Sequence, residues 1–399
     1  MPSTRFGVIV VLVLLTTVAS WVSARSAAAR SRPVAVVAAD LDADPLCPGC
    51  ADLVVGDRGL AAVNVYLGHG DGTFATPVTL PMDAAVLSVA VGDCDGDGDL
   101  DVFASTVSSK RALTVFVNQA QQGSPGTFVR TPASPLALAD GGPTVIVAAD
   151  ASGLALDVDG DGALDLAVIQ HGRHLGVLPG DGSCGFGPPA ASLALGKLTG
   201  LAAADLDGGH GVDLIVTDRR TFNVTMLFND GTGHFPATFL ESIPRPSAVV
   251  ATDMSGDGLP DVMTIDDQNS GAPQNFGLYR ILNFGNRTFS APNIFGAGGR
   301  RPVAAVAGGF TADASIDLAI VSQGDNVVAL VPGDGNTNFD PPAPSPTGGT
   351  KPVAVAAADF DGNGLADVAV ANAGSGGVAI CLSDGAAFGC TRLASLLGP

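Results

Sequence analysis

D-C-D-G-D-G-D-L-D, residues 93–101, places acidic side chains at the first, third, fifth, seventh and ninth positions of a nine-residue loop. Such a run has no use in a core, because like charges at this spacing repel by roughly 1 kcal/mol per pair even in water. A loop that keeps this repulsion is expected to hold something positive. Hard oxygen ligands alternating along a turn suit Ca²⁺, which takes about six to eight oxygens in flexible geometry. Gly98, at the sixth position, lets the chain bend around an ion. An apolar run follows the last acid directly, so the loop joins two strands and not two helices.

Outward from this loop the chain repeats itself. From Pro33 each unit opens with an apolar run ending in Asp or Gly, passes an acidic loop, and enters a second apolar run after another Asp. A third run follows, then a Gly/Asp turn closed by Phe. In the first unit these parts are Val34 to Ala39, Asp40, Asp52, Leu53 to Val55 and Gly70-Asp71-Gly72-Thr73-Phe74. The closing Phe recurs as Phe74, Phe128, Phe186, Phe235, Phe289, Phe339 and Phe388, at intervals of roughly 50 residues. Seven units of about four short strands predict an all-β, seven-bladed β-propeller over residues 33–399. The Gly/Asp turns, such as Gly180-Asp181-Gly182-Ser-Cys-Gly-Phe186, lack the Lys and following helix of a phosphate-binding loop. They read as hairpin turns whose Phe anchors one blade on its neighbour.

Composition agrees. The chain has 399 residues, 53 Gly, 27 Pro and 46% apolar residues, which is turn-rich and able to bury a large core. Glu241 is the only glutamate, so the net charge of −20 is carried by Asp, the acid of turns and metal loops. That acidity argues against nucleic acid as a partner.

Residues 1–24 read as a signal peptide: Arg5, an apolar core from Phe6 to Val22, and a small-residue cleavage site at Val22-Ser23-Ala24. Residues 25–32 form a short linker. The apolar segment is short for a span of about 20 residues, so membrane contact is expected only if it stays uncleaved. Export places the chain outside the cell, on its surface or in a periplasm, where its six Cys can pair. Cys47 and Cys50 lie close enough for a local bridge, Cys381 and Cys390 sit on neighbouring strands, and Cys94 with Cys184 is the remainder. Zinc at C-P-G-C lacks a second Cys or His pair at suitable spacing.

The repeat resembles the FG-GAP/VCBS repeats of integrin α-chain propellers and their bacterial relatives. Asp359-Phe-Asp361-Gly-Asn363-Gly-Leu-Ala-Asp367 carries the likeness, with the tails Thr73-Phe74-Ala-Thr-Pro77, Gly185-Phe186-Gly-Pro188 and Phe289-Ser-Ala-Pro292. It covers nearly the whole chain after the signal and implies the fold more than any activity.

The seven loops are unequal. The second (Asp93, Asp95, Asp97, Asp101), third (Asp157, Asp159, Asp161, Asp165) and seventh (Asp359, Asp361, Asn363, Asp367) are complete ligand sets. The fifth offers Asp253, Ser255, Asp257 and Asp261, with a weaker ligand at the third position. The first offers Asp40, Asp42, Asp44 and Asp52, distorted by four extra residues. The fourth (Asp205, Asp207, Asp213) has Gly209 where the third oxygen belongs, and the sixth keeps only Asp313 and Asp317. Singly, each motif also reads as an Asx-turn. Repetition at one place favours several structural Ca²⁺ ions that stabilise the folded state.

Calling the strands of each unit A to D, the acidic A–B loops and the C–D turns should emerge on one face, and the B–C and D–A connections on the other. Eleven of the nineteen Lys and Arg fall in the latter connections: Arg58, Lys110, Arg111, Arg173, Arg219 and Arg220 in B–C, and Lys197, Arg245, Arg300, Arg301 and Lys351 in D–A. An acidic face opposite a basic one is expected, the basic face binding a protein or an acidic glycan. Arg219, Arg220, Arg300 and Arg301 are the candidate ligand-binding residues, and integrin-like propellers engage ligands on this face. The B–C connection from Asp266 to Phe276 is the longest. Neutral-sugar stacking is disfavoured, since Trp21 lies in the signal and only Tyr66 and Tyr279 remain. No nucleophile elbow or zinc-protease motif appears, and His171 and His174 share a turn. The reading is a non-catalytic binding or adhesion module, with a secreted polysaccharide lyase or glycosidase as the alternative.

Overall fold

The computed structural model describes residues 10–11, 30–42, 49–108, 112–120, 126–132, 134, 136–138, 143–149, 153–189, 191–194, 196–209, 211–267 and 277–393. Of the signal call only Val10 and Val11 are among these. They pair antiparallel with Ala356 and Val355.

Seven antiparallel blades of four consecutive strands follow one another along the chain, the seventh sheet gaining Val10–Val11 as a fifth strand. The first blade runs Pro33–Ala39, Asp52–Asp57, Ala62–Tyr66 and Val78–Pro81, and the seventh Pro352–Ala358, Asp367–Asn372, Gly377–Ser383 and Phe388–Arg392. The intervening blades begin at Val86, Pro143, Leu198, Pro246 and Pro302. The A strands of successive blades touch all the way around, the first against the seventh, so they line a central axis. The A and B strands read as unbroken apolar runs because each blade is covered on both faces, and Val34 to Ala39 and Leu53 to Val55 are all buried. Proline opens five A strands, where its missing N–H costs nothing, and a register shift follows at once in each of the seven blades.

The closing Phe anchors blades as expected. Phe74 meets Phe360 edge-on at 5.6 Å, and Phe186 meets Phe103, Phe289 meets Phe228, Phe339 meets Phe295 and Phe388 meets Phe310. Phe103, Phe228, Phe310 and Phe360 are among the largest fully buried side chains. Truncating any of them to Ala costs about 3–5 kcal/mol.

The four strands A to D of each blade are consecutive in sequence, and the seventh sheet takes Val10–Val11 from ahead of blade 1 as a fifth strand beside its A strand. Blades 1 and 7 also meet through a shared apolar cluster that includes Val36, Leu53, Ala354, Phe360 and Ile380. Two disulfides are described. Cys381 and Cys390 face each other across the last two strands, as their spacing suggested. Cys94–Cys184, left as a remainder by sequence, joins the second blade's acidic loop to the third blade's C–D turn. Cys50 is disulfide-bonded, while Cys47 lies outside the described residues. Such bridges fit an oxidising compartment. Among the described residues no helix is long and apolar enough to cross a membrane.

Candidate metal centres and the opposite charged face

The ninth-position aspartate does the same thing in every blade. Asp52, Asp101, Asp165, Asp213, Asp261, Asp317 and Asp367 are fully buried at the start of the B strands. One oxygen accepts the N–H of the loop's second residue: Leu41, Cys94, Val158, Leu206, Met254, Phe310 and Phe360. The other accepts an N–H at the end of the C strand: Gly68, Asn118, Gly180, Asn229, Asn283, Gly333 and Ser383. Each carboxylate is therefore a clamp between loop and C strand. Spacing alone presented it as a ligand like the others. The signal that separates it is Asp317, retained in the sixth loop where the preceding acids are lost.

The remaining acids organise the loops. First-position carboxylates accept N–H groups of the fourth and sixth residues, as Asp93 does from Gly96 at 2.8 Å and Gly98 at 2.9 Å, with the same pair repeated by Asp157, Asp253 and Asp359. Gly96 and Gly98 sit at φ 74° and 94°, which needs glycine. Asp97, Asp161, Asp257 and Asn363 cap the residue two ahead. The Asx-turn and the cation cage are thus the same geometry, because each oxygen that accepts one N–H keeps a second lone pair.

Carboxylate oxygens from the first, third and ninth positions lie within 4.8 Å of one another in Asp40/Asp42/Asp52, Asp93/Asp95/Asp101, Asp157/Asp159/Asp165 and Asp205/Asp207/Asp213. The first loop's insertion therefore does not scatter its acids, although Asp44 lies outside the described residues. Two third-position atoms, Asp95 Oδ1 and Ser255 Oγ, are buried with no hydrogen-bond partner. Buried oxygens left unsatisfied inside an acidic loop fit a hard, oxygen-seeking cation. In the sixth loop Thr311 fills this place instead, its hydroxyl 2.9 Å from Asp317 and 3.1 Å from Asp313, so that its one hydrogen serves either carboxylate.

Without a cation these clusters are strained at neutral pH. Burial above all pushes the carboxyls of Asp52 and Asp101 up to about 7, and those of Asp213 and Asp367 up to about 6, from an ordinary 3.8. A raised carboxyl binds more protons folded than unfolded, so its contribution to stability is full below pH ~4 and is lost as pH rises through about 6–7. In chelator, the Tm should fall between pH 5 and pH 8, and added Ca²⁺ should restore most at pH 8. Calorimetry across that range checks this, and a chelated Tm that rises with pH would contradict it.

The opposite face carries the cations, in a register the sequence did not reveal. Arg32, Lys197, Arg245, Arg301 and Lys351 each immediately precede an A strand, in blades 1, 4, 5, 6 and 7, and so stand at the same end of the strands that surround the central axis. The backbone fixes the register: the carbonyls of these five accept the N–H of Arg58, Arg219, Asp267, Gln323 and Ala373, each just beyond the B strand. Arg245, Arg301 and Lys351 hold φ of 43°, 54° and 50°, a costly conformation for non-glycine residues.

Two of the four candidate ligand-binding arginines are already engaged. Arg300 is held by Asp325, its backbone N–H and guanidinium using both carboxylate oxygens. Arg219 pairs with Asp267 at 2.5 Å, and Arg245 approaches the same carboxylate at 3.2 Å. Arg220 and Arg301 make no ion pair among the described residues. Of the long fifth-blade connection, residues 268–276 lie outside the described residues, as do Lys110 and Arg111.

Two stretches, residues 49–104 and 309–370, match the FG-GAP-like repeat. No curated protein matches the chain. Among solved structures, a lectin of Agrocybe aegerita that recognises non-reducing terminal N-acetylglucosamine is 20% identical, with a TM-score of 0.52 over 79% of this chain and 80% of that one. A streptogramin B lyase is 14% identical at TM-score 0.50, covering 80% of this chain and 87% of that one. BBS1N, solved in complex with ARL6DN, is 11% identical at TM-score 0.54 over 98% of both chains. At these identities the likeness is one of fold.

Proposed function

From a seven-bladed β-propeller carrying FG-GAP-like repeats, we propose that this chain is an exported, non-catalytic binding or adhesion module, stabilised by Ca²⁺ on its acidic face and binding an anionic protein or glycan on the other. The ring of Arg32, Lys197, Arg245, Arg301 and Lys351 carries the reading. Five cations stand at one register around the axis of a chain whose net charge is −20, three of them in strained backbone and one, Arg245, partly met by Asp267. Convergent positive charge around a depression attracts a multivalent anion and orients it. The comparisons do not choose a chemistry, since the same fold serves a lectin and a lyase.

Asp93, Asp157, Asp253 and Asp359, with the third- and fifth-position residues of their loops, would hold the ions. Bound Ca²⁺ supplies charge compensation between the A–B loop and the next blade, with no reactive group beside it in these loops.

A sulfated glycan and polyglutamate serve as probes. Arg301→Ala with Lys351→Ala should weaken binding by about tenfold or more, equivalent to about 1.4 kcal/mol. Binding should also fall steeply with salt. Arg300→Ala should change little, because Asp325 already holds that side chain. Unchanged binding in the double variant would remove the basic face from the mechanism. New reducing ends from acidic polysaccharides would instead favour the carbohydrate-active alternative.

A further inference from the structure

In blades 1, 3, 4 and 5 the C–D turn is docked against the acidic loop of the blade before it, and one place in the turn makes the contact. Two residues before the closing Phe stand Gly72, Cys184, Gly233 and Arg287, in blades 1, 3, 4 and 5. Gly72 N–H donates to Phe360 O of the seventh loop at 2.8 Å. Cys184 is bonded to Cys94 of the second loop. A Cβ at Gly233 would lie 3.4 Å from the Cβ of Asp159, and one at Gly72 would lie 3.7 Å from that of Asp361. A side chain here therefore projects at the second residue of the preceding loop, as Cys184 does, or at the third-position ligand. Glycine leaves the third and seventh loops open, and both are complete ligand sets.

In the fifth blade the residue is Arg287, and it reaches the fourth loop. Its Nε donates to Asp207 Oδ2 at 2.7 Å, and its guanidinium lies over the Phe228 ring, 4.7 Å from the centroid. Asp207 Oδ1 accepts from Gly209 N–H at 2.9 Å, so both oxygens of this nearly buried carboxylate are engaged. The fourth loop also lacks an oxygen ligand at its fifth position, Gly209. Arg287 holds φ of 60°, a left-handed conformation that glycine adopts without strain. Its charge compensates that strain.

Resting on the reading that the complete loops take Ca²⁺, we infer that the fourth loop does not: the Arg287 guanidinium is its built-in cation, supplied by the next blade. Asp205, Asp207 and Asp213 are gathered as in the other loops, yet their charge is met by protein. The junction between blades 4 and 5 is then independent of metal.

The test uses the full chain and CaCl₂ alone. By equilibrium dialysis, Asp205→Asn should leave the number of bound ions unchanged, while Arg287→Gly should bind one more ion per chain and lose it again when Asp205→Asn is added. In chelator, Arg287→Gln and Asp207→Asn should each lower the Tm by a few degrees. The double variant should fall no further than either single one, because the two side chains act as a pair. Loss of an ion in Asp205→Asn, no gain in Arg287→Gly, or independent thermal costs would overturn the inference. If the unaltered chain binds no Ca²⁺, the calcium reading fails separately and the chelator comparison still decides the guanidinium's role.

Discussion

Replacing Asp317 with Ala should destabilise the protein by about 3–5 kcal/mol, and equally with or without Ca²⁺. The carboxylate accepts four hydrogen bonds, from Phe310 N–H, Thr311 N–H, the Thr311 hydroxyl and Gly333 N–H. Its removal strands buried backbone donors, each costing about 1–3 kcal/mol when unsatisfied. The sixth loop lacks the acids of a cation cage, so this substitution isolates the clamp from any metal effect. Asp313→Ala, four residues away and exposed, should change stability by only about 0.5 kcal/mol. The equivalent Asp101→Ala should cost more in Ca²⁺ than in chelator, since it removes clamp and ligand together. Thermal unfolding of the three variants in both conditions separates the roles. If Asp317→Ala costs as little as Asp313→Ala, the ninth-position carboxylates are not the clamps that the geometry describes.

The fold was legible because its signals are local and repeated. Apolar runs bracketed by Asp and Gly mark strands, and a Phe every 50 residues or so marks blades, whatever their partners in space. What stayed hidden depends on contacts between blades. Cys94 and Cys184 are 90 residues apart and meet only because the third blade's turn docks on the second blade's loop. Counting back from the closing Phe in all seven units would have placed Cys184 and Arg287 on the preceding loop. Arg300 looked like a free surface charge until its D–A corner was brought beside Asp325 in the following B–C turn. The ring of cations was visible as scattered Lys and Arg, but its register needed the exact starts of the A strands. Asp101 and its equivalents were singled out as ligands, yet charge spacing cannot distinguish an oxygen held by backbone from one aimed at an ion.

Chelation should lower the Tm by about 10–15 °C and open the ring first at the seam between blades 7 and 1. At 100-fold excess over its dissociation constant, a ligand specific to the folded state stabilises by about 2.7 kcal/mol per site. Three complete loops then amount to about 8 kcal/mol, and the shift follows from the entropy of a domain this size. The seam is the weak junction because no D–A connection of the chain joins blade 7 to blade 1. Among the described residues no disulfide or ion pair reinforces it, whereas Cys94–Cys184 ties blades 2 and 3 and Arg287–Asp207 ties blades 4 and 5. Beside the shared apolar cluster, the Phe74–Phe360 contact and the Gly72–Phe360 hydrogen bond hold it at the loop end, and both depend on the conformation of the seventh loop. That loop presents Asp359 and Asp361 beside the neutral Asn363, and the repulsion between the two carboxylates rises when the cation leaves. In hydrogen exchange with chelator, Pro33–Ala39 and Pro352–Ala358 should lose protection before Val86–Gly92. Asp359→Ala with Asp361→Ala should reproduce that pattern in Ca²⁺. Uniform loss of protection around the ring, or a Tm indifferent to chelator, would show that the acidic loops do not close it.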